Sequence, residues 1–170
     1  MEKHGKKSAR KEFRKKAFLF SAKFFIIFAV LYSLLFITDL SAVENWLASS
    51  EAQALGLQSS GNQVIIGGSV FLISESCIGL FSGMVLLAIA FACKKPSLGK
   101  KALIAGTGIA LLFVINWFRV FAVLWFGKNS GFQAAEIAHA ISWFAMTAFI
   151  LGIWYLLTKR VAGKNFQELI

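Results

Sequence analysis

The sequence predicts an all-α integral membrane protein of about four transmembrane helices, with a small outer cap and both termini in the cytoplasm. Three observations predict it. The chain of 170 residues is 58% hydrophobic and 15% charged, whereas a soluble domain carries about 25% charged residues. The apolar residues are gathered into blocks of spanning length, giving a mean hydropathy of +0.70. The basic residues cluster at the edges of those blocks, where anionic headgroups meet them. The formal net charge of +10 therefore belongs to a membrane surface, and no nucleic-acid partner is expected.

The length suits one domain. It divides into a basic cytoplasmic tail over residues 1–16, a membrane helical bundle over 17–160 with an outer loop at 38–76, and a second cytoplasmic tail over 161–170. The tail MEKHGKKSARKEFRKK is an orientation and membrane-surface signal. The first span covers residues 17–37, with Lys23 near enough to its inner end to snorkel. Its apolar run exceeds the roughly 7–15 residues of a cleaved signal peptide, so a retained anchor is expected.

Residues 38–63 carry Asp39, Glu44 and Glu51 and no Lys or Arg, and part of this stretch reads as a short amphipathic helix on the outer surface. The run VIIGGSVFLI at 64–73 is too short to span as a helix. Two β-rich pieces meeting at Gly67-Gly68 fit a small hairpin, because adjacent glycines accept the positive φ of a tight turn. The second span runs from about Cys77 to Cys93 and ends at KKPSLGKK, which holds the only proline, Pro96. The third covers roughly 102–126, where Gly106 and Gly108 allow close approach of a neighbouring helix. The fourth covers about 137–157 and stops at Lys159 and Arg160.

Orientation follows from charge. Sixteen of the 18 Lys and Arg lie in the N-terminal tail or its first turn, the 94–101 loop, or the C-terminal tail. Asp39, Glu44, Glu51, Glu75 and Glu136 fall on the opposite side. The tails and the 94–101 loop are thus expected inside.

Three groups stand out within this frame: Cys77, Arg119 and His139. Counted as helix rise from the nearest basic edge, they lie about 25 Å above Lys94, about 27 Å above Lys101 and about 30 Å above Lys159. With a hydrocarbon core of about 30 Å, all three reach the outer boundary of the bilayer from three different helices. The chemistry that suits the trio is cysteine acyl transfer. A thiolate attacks a carbonyl, an imidazole manages protons, and a fixed cation steadies the developing negative charge. Arginine serves that last role better than lysine, because it stays charged and presents a rigid fork of donors.

Each member also has an ordinary explanation taken singly. Cys77 fits a small buried hydrophobe, Arg119 a snorkelling cation, and His139 an interfacial polar residue. Glu136, one turn before His139, fits either an orienting partner for the imidazole or a solvated loop acid. Asn116, one turn before Arg119, bonds a neighbouring helix or the site itself. Cys93 has only lysines as polar companions and is read as non-catalytic. A helix between the two cysteines would hold them roughly 24 Å apart, far beyond the about 7 Å that a disulfide allows. Trp117, Trp125, Trp143 and Trp154 are read as belt and packing residues.

These motifs resemble a known family. Glu75-Ser76-Cys77-Ile78-Gly79 opening one span, Asn116-Trp117-Phe118-Arg119-Val120 in the next, and Ala138-His139-Ala140 opening the last resemble the exosortase/archaeosortase family. Those are polytopic membrane cysteine enzymes thought to act as protein-sorting transpeptidases. The resemblance covers roughly residues 64–157. Carried over, Cys77 matches the nucleophile, Arg119 the arginine and His139 the third catalytic position, with Asn116, Glu75 and Glu136 as supporting candidates. The chain has about half the spans of a typical exosortase, so it matches a core or a compact subgroup, and a second copy or second subunit could complete the fold.

The resemblance implies a substrate: a secreted protein ending in a recognition motif, an apolar helix and a basic end. The substrate helix would lie in the plasma membrane beside the enzyme, whose site faces outside. The thioester on Cys77 would pass to an amine, a lipid hydroxyl or water, with no metal or organic cofactor. Two other readings stay open. A small transporter or assembly partner would want a polar path across the midplane. A metal or haem site on Cys77 and His139 would want three or four ligands.

Overall fold

The computed structural model describes residues 2–35 and 37–162, with side chains for 10–35 and 37–161. The first helix, α1 (Glu2–Leu35), runs unbroken from the basic segment into the apolar one. From Lys6 to Leu35 no glycine or proline interrupts it, and Glu12 and Lys16 pair one turn apart at 3.1 Å. Residues 2–16 of the stretch expected as a tail over 1–16 are therefore the start of this helix. Of the expected tail over 161–170, residues 163–170 lie outside the described residues.

A cap follows. Helix α2 (Ser41–Leu55) leads into three short strands, β1 (Gln58–Ser60), β2 (Gln63–Ile66) and β3 (Ser69–Leu72). They form an antiparallel sheet in the order β1-β2-β3. The turn at Gly67-Gly68 falls where the sequence put it. Both residues have positive φ, +58° and +86°, the requirement of a two-residue type I′ hairpin. The expected hairpin is present in a mostly helical chain, and a third strand, β1, extends it into a sheet. β1, with the sequence Gln-Ser-Ser, has no hydrophobic alternation to announce it. Asn62 ties the sheet to α2 by donating from Nδ2 to the Glu44 carboxylate at 3.1 Å.

Three more helices complete the chain: α3 (Leu80–Ala92), α4 (Leu98–Ser130) and α5 (Phe132–Ala162). Among the described residues, three helical segments are long and apolar enough to cross a membrane: Arg10–Leu35, Leu98–Ser130 and Phe132–Val161. The second expected span is the correction. α3 has 13 residues, about 20 Å of rise against a hydrocarbon core of about 30 Å. Its N-terminal limit is set by a turn at 75–77, where the Cys77 amide donates to the Ser74 carbonyl at 2.7 Å, and by Gly79 at φ +81°. At the other end Cys93 is extended and the chain leaves the helix ahead of Pro96.

Two apolar cores result. The cap core joins α2 (Leu47, Ala48, Ala52) and the sheet (Val64, Ile66, Phe71) to Cys77, Val120, Leu124 and Ala135. The bundle core joins Leu86, Cys93, Ile104, Leu112, Met146 and Trp154, with Phe20 and Phe24 of α1 leaning on it. Of the two glycines expected to admit a neighbour, Gly108 does so. A Cβ there would stand 2.4 Å from a Leu86 methyl, whereas Gly106 faces open space.

Candidate active site

The site forms where the cap meets the bundle. Cys77 sits in the turn between β3 and α3, so the helix rise counted from Lys94 does not describe its position. The turn hands it to the cap core, where it is 2% exposed. Its neighbour Ser76 places Oγ 3.9 Å from Sγ, and Ser74 Oγ lies 2.7 Å from Ser76 Oγ. Neither serine stood out in the sequence.

α4 brings two side chains to the same backbone atom. Asn116 donates from Nδ2 to the Cys77 carbonyl at 2.7 Å, and Arg119 donates from Nη2 to it at 3.5 Å. Both are buried. Gly79 makes this approach feasible. A Cβ at Gly79 would stand 2.8 Å from Asn116 Cγ, and the φ of +81° is one that L side chains rarely adopt. The Arg119 Nε–H is buried and has no hydrogen-bond partner among the described residues. Leaving such a donor unpaired and buried costs about 1–3 kcal/mol.

α5 supplies the imidazole. His139 packs against Phe71 of β3, ring centroids 5.9 Å apart. Its Nε2 accepts from the Trp143 indole N–H at 3.2 Å. Trp143 also lies under the Arg119 guanidinium, 5.3 Å from its carbon to the ring centroid. An indole that orients one site residue and stacks on another is more than a belt residue. The signal in the sequence was its i+4 spacing from His139, which places both on one helix face.

Cys77 and His139 line one cavity of about 450 Å3, together with Ser74, Ser76, Glu136, Phe132 and residues 70–72 of β3. Arg119 borders a second, apolar groove of about 500 Å3 between α4 and α5, walled by Val123, Phe126, Ile137 and Ile141. The structure thus brings Cys77, Arg119, Asn116 and His139 together. Glu136 borders the cavity as an exposed residue, but the imidazole bonds Trp143 and no Glu136–His139 hydrogen bond is present. Glu75 is exposed and does not line the cavity. Among the described residues no cluster of three or more His, Cys, Asp or Glu could hold a metal ion.

Cys93 lies at the opposite end of α3, also buried and free. Its carbonyl accepts from Lys101, which also donates to the Phe91 carbonyl at 3.5 Å, so a lysine caps the helix C-terminus.

A family model described as transmembrane exosortase matches residues 8–156. Comparison with curated proteins and with solved structures gave no match.

Proposed function

Since the chain belongs to the transmembrane exosortase family, we propose that it is a membrane cysteine transpeptidase that removes C-terminal sorting signals. The observation that carries this reading is the assembly just described: thiol and imidazole share one cavity at the cap end of the bundle, and the guanidinium reaches the Cys77 carbonyl from the adjoining groove.

In this reading the imidazole of His139 takes the Cys77 thiol proton. The thiolate attacks a substrate peptide carbonyl, and the electron pair of the C=O bond moves onto oxygen. Arg119 stabilises that oxyanion with its unpartnered Nε–H and its charge. The intermediate collapses, the C–N bond breaks, and the imidazolium returns the proton to the leaving amine. That amine departs with the substrate's apolar helix, for which the groove beside Arg119 offers an apolar bed. The acyl group stays on Sγ as a thioester until an amine, a lipid hydroxyl or water displaces it. Trp143 bears on the proton's path. Its N–H occupies Nε2, so the neutral ring carries its proton on Nδ1, and protonation at Nε2 requires the indole bond to open.

The membrane frame fits this reading. With the basic segments inside, the cap and the Cys77 cavity face outward from the plasma membrane, where secreted substrates arrive. The test is mass spectrometry of the C-termini of secreted, membrane-anchored proteins in cells carrying the native chain or Cys77→Ser. The reading expects one or a few proteins to keep their C-terminal helix only in the variant. Unchanged C-termini beside a normally inserted Cys77→Ser protein would sink it.

A further inference from the structure

The sheet of the cap has one edge that leads into the candidate site. β3 is an edge strand, paired only with β2. The register pairs Ile66 with Ser69, Ile65 with Val70, Val64 with Phe71 and Gln63 with Leu72. In an antiparallel hairpin closed by a two-residue turn, hydrogen-bonded and non-bonded pairs alternate, beginning with the bonded pair next to the turn. Ser69 and Phe71 therefore direct their N–H and C=O toward β2. The Ile73 amide keeps the rhythm, donating to the Asn62 carbonyl at 2.8 Å. Val70 and Leu72 direct theirs the other way, and among the described residues no hydrogen bond meets them from that side.

That free edge borders the reactive cavity. Val70, Phe71 and Leu72 line the same cavity as Cys77 and His139, and only four residues separate Leu72 from Cys77. The side chains of Val70 and Leu72 are about half exposed, at 50% and 53%, while Phe71 turns inward onto His139. A scissile peptide has to lie extended for its carbonyl to reach a thiol, and an extended backbone needs partners for its own N–H and C=O groups. β3 offers two pairs of such groups beside the nucleophile.

We propose that the substrate's recognition segment binds as an added strand on β3, pairing with the N–H and C=O of Val70 and Leu72, so that the next peptide bonds are delivered to Cys77. The inference rests on the transpeptidase reading above and assigns the sheet edge as its peptide-binding element. Main-chain pairing gives affinity in this mode, while alternate substrate side chains meet the cavity wall and give selectivity.

Val70→Pro removes one outward N–H without touching the ladder to β2, a position that an edge strand tolerates. Ser59→Pro is the matched control. By the same alternation Ser59, opposite Val64, directs its N–H to the far edge of the sheet. In cells, processing of the proteins identified by their dependence on Cys77 should fall at least about tenfold with Val70→Pro, as loss of a main-chain bond implies. It should stay native with Ser59→Pro. Native processing with Val70→Pro, or an equal loss with Ser59→Pro, overturns the inference and leaves the transpeptidase reading standing. If Val70→Pro instead lowered the molar mass of the purified protein, the edge would be pairing two copies of the chain, and the inference would fail.

A second measurement does not depend on how that variant folds. Synthetic peptides spanning the identified cleavage segment, N-methylated one residue at a time, are offered to the purified native protein in lipid nanodiscs. Strand addition expects cleavage to be lost at every second position beside the scissile bond. Loss without a two-residue period overturns it.

Discussion

Cys77 and Cys93 close opposite ends of α3 and are equally withdrawn from solvent, each 2% exposed. Each also has its carbonyl held by α4, through Asn116 and Arg119 at one end and Lys101 at the other. The difference lies in what surrounds the sulfur. Cys77 borders a cavity that also holds an imidazole and two serine hydroxyls, with a guanidinium against its backbone. Cys93 is enclosed by Leu86, Ile89, Ile104 and other side chains of the bundle core. Burial thus does not separate the candidate thiol from the packing one. The polar groups that converge on it do.

The first way to break this comparison is to exchange the two sites' fates. Cys77→Ala should lower substrate processing by at least about a thousandfold with the fold intact, as loss of a covalent nucleophile does. Cys93→Ala should process at close to the native rate while losing about 1–2 kcal/mol of stability to a small core cavity. A Cys93 variant as inactive as the Cys77 one, and as stable as native, would erase the distinction. C-terminal mass spectrometry and thermal melting in detergent read the two quantities.

A smaller effect sharpens the account of how the Cys77 end is held. Gly79→Ala puts a methyl 2.8 Å from Asn116 Cγ at a φ of +81°. We expect a loss of about 1–3 kcal/mol from backbone strain, with processing down at least about tenfold as Asn116 is pushed off the Cys77 carbonyl. Gly106→Ala, which meets open space in α4, should leave both unchanged.

The smallest effect on processing, one read in stability alone, separates the two cores by pH. Glu51 of α2 is 0% exposed, and neither carboxyl oxygen has a hydrogen-bond partner among the described residues. Burial raises its pKa from 4.5 to about 8. The folded state therefore favours the neutral acid. Its contribution to stability is full below pH 4.5 and is lost as pH rises through about 8. Melting temperature should decline over that window in the native protein and decline less in Glu51→Gln. Parallel curves would show that the carboxyl is not buried in solution.

Much of this was legible in the chain. Long apolar runs without proline give α1, α4 and α5, because hydropathy and helix period are properties of the local sequence. The hairpin turn was legible because only glycine accepts two successive positive φ angles cheaply. Counting along helices suited Arg119 and His139, which lie on α4 and α5, but not Cys77, which lies in a turn that the count does not describe. What stayed hidden depends on contacts between distant residues. α3 is short because the 75–79 turn packs on Asn116, thirty-seven positions from Gly79. Glu51 read as a surface acid because a hydropathy scale cannot say which face of a weakly amphipathic helix turns inward. Trp143 read as a belt residue because its partners come from three elements, α3, α4 and its own helix.

The brevity of α3 has one further consequence. It is flanked by helices long enough to cross the bilayer, yet it reaches only about 20 Å. In a membrane, α3 would be about 10 Å shorter than the hydrocarbon core, a hydrophobic mismatch that a bilayer relieves by thinning or by letting the protein sink. Either response draws the plane of the headgroups down toward Cys77. Under the proposed transpeptidase reading, acyl-chain length then becomes a variable of the reaction, as does the length of the apolar helix that the substrate would carry alongside.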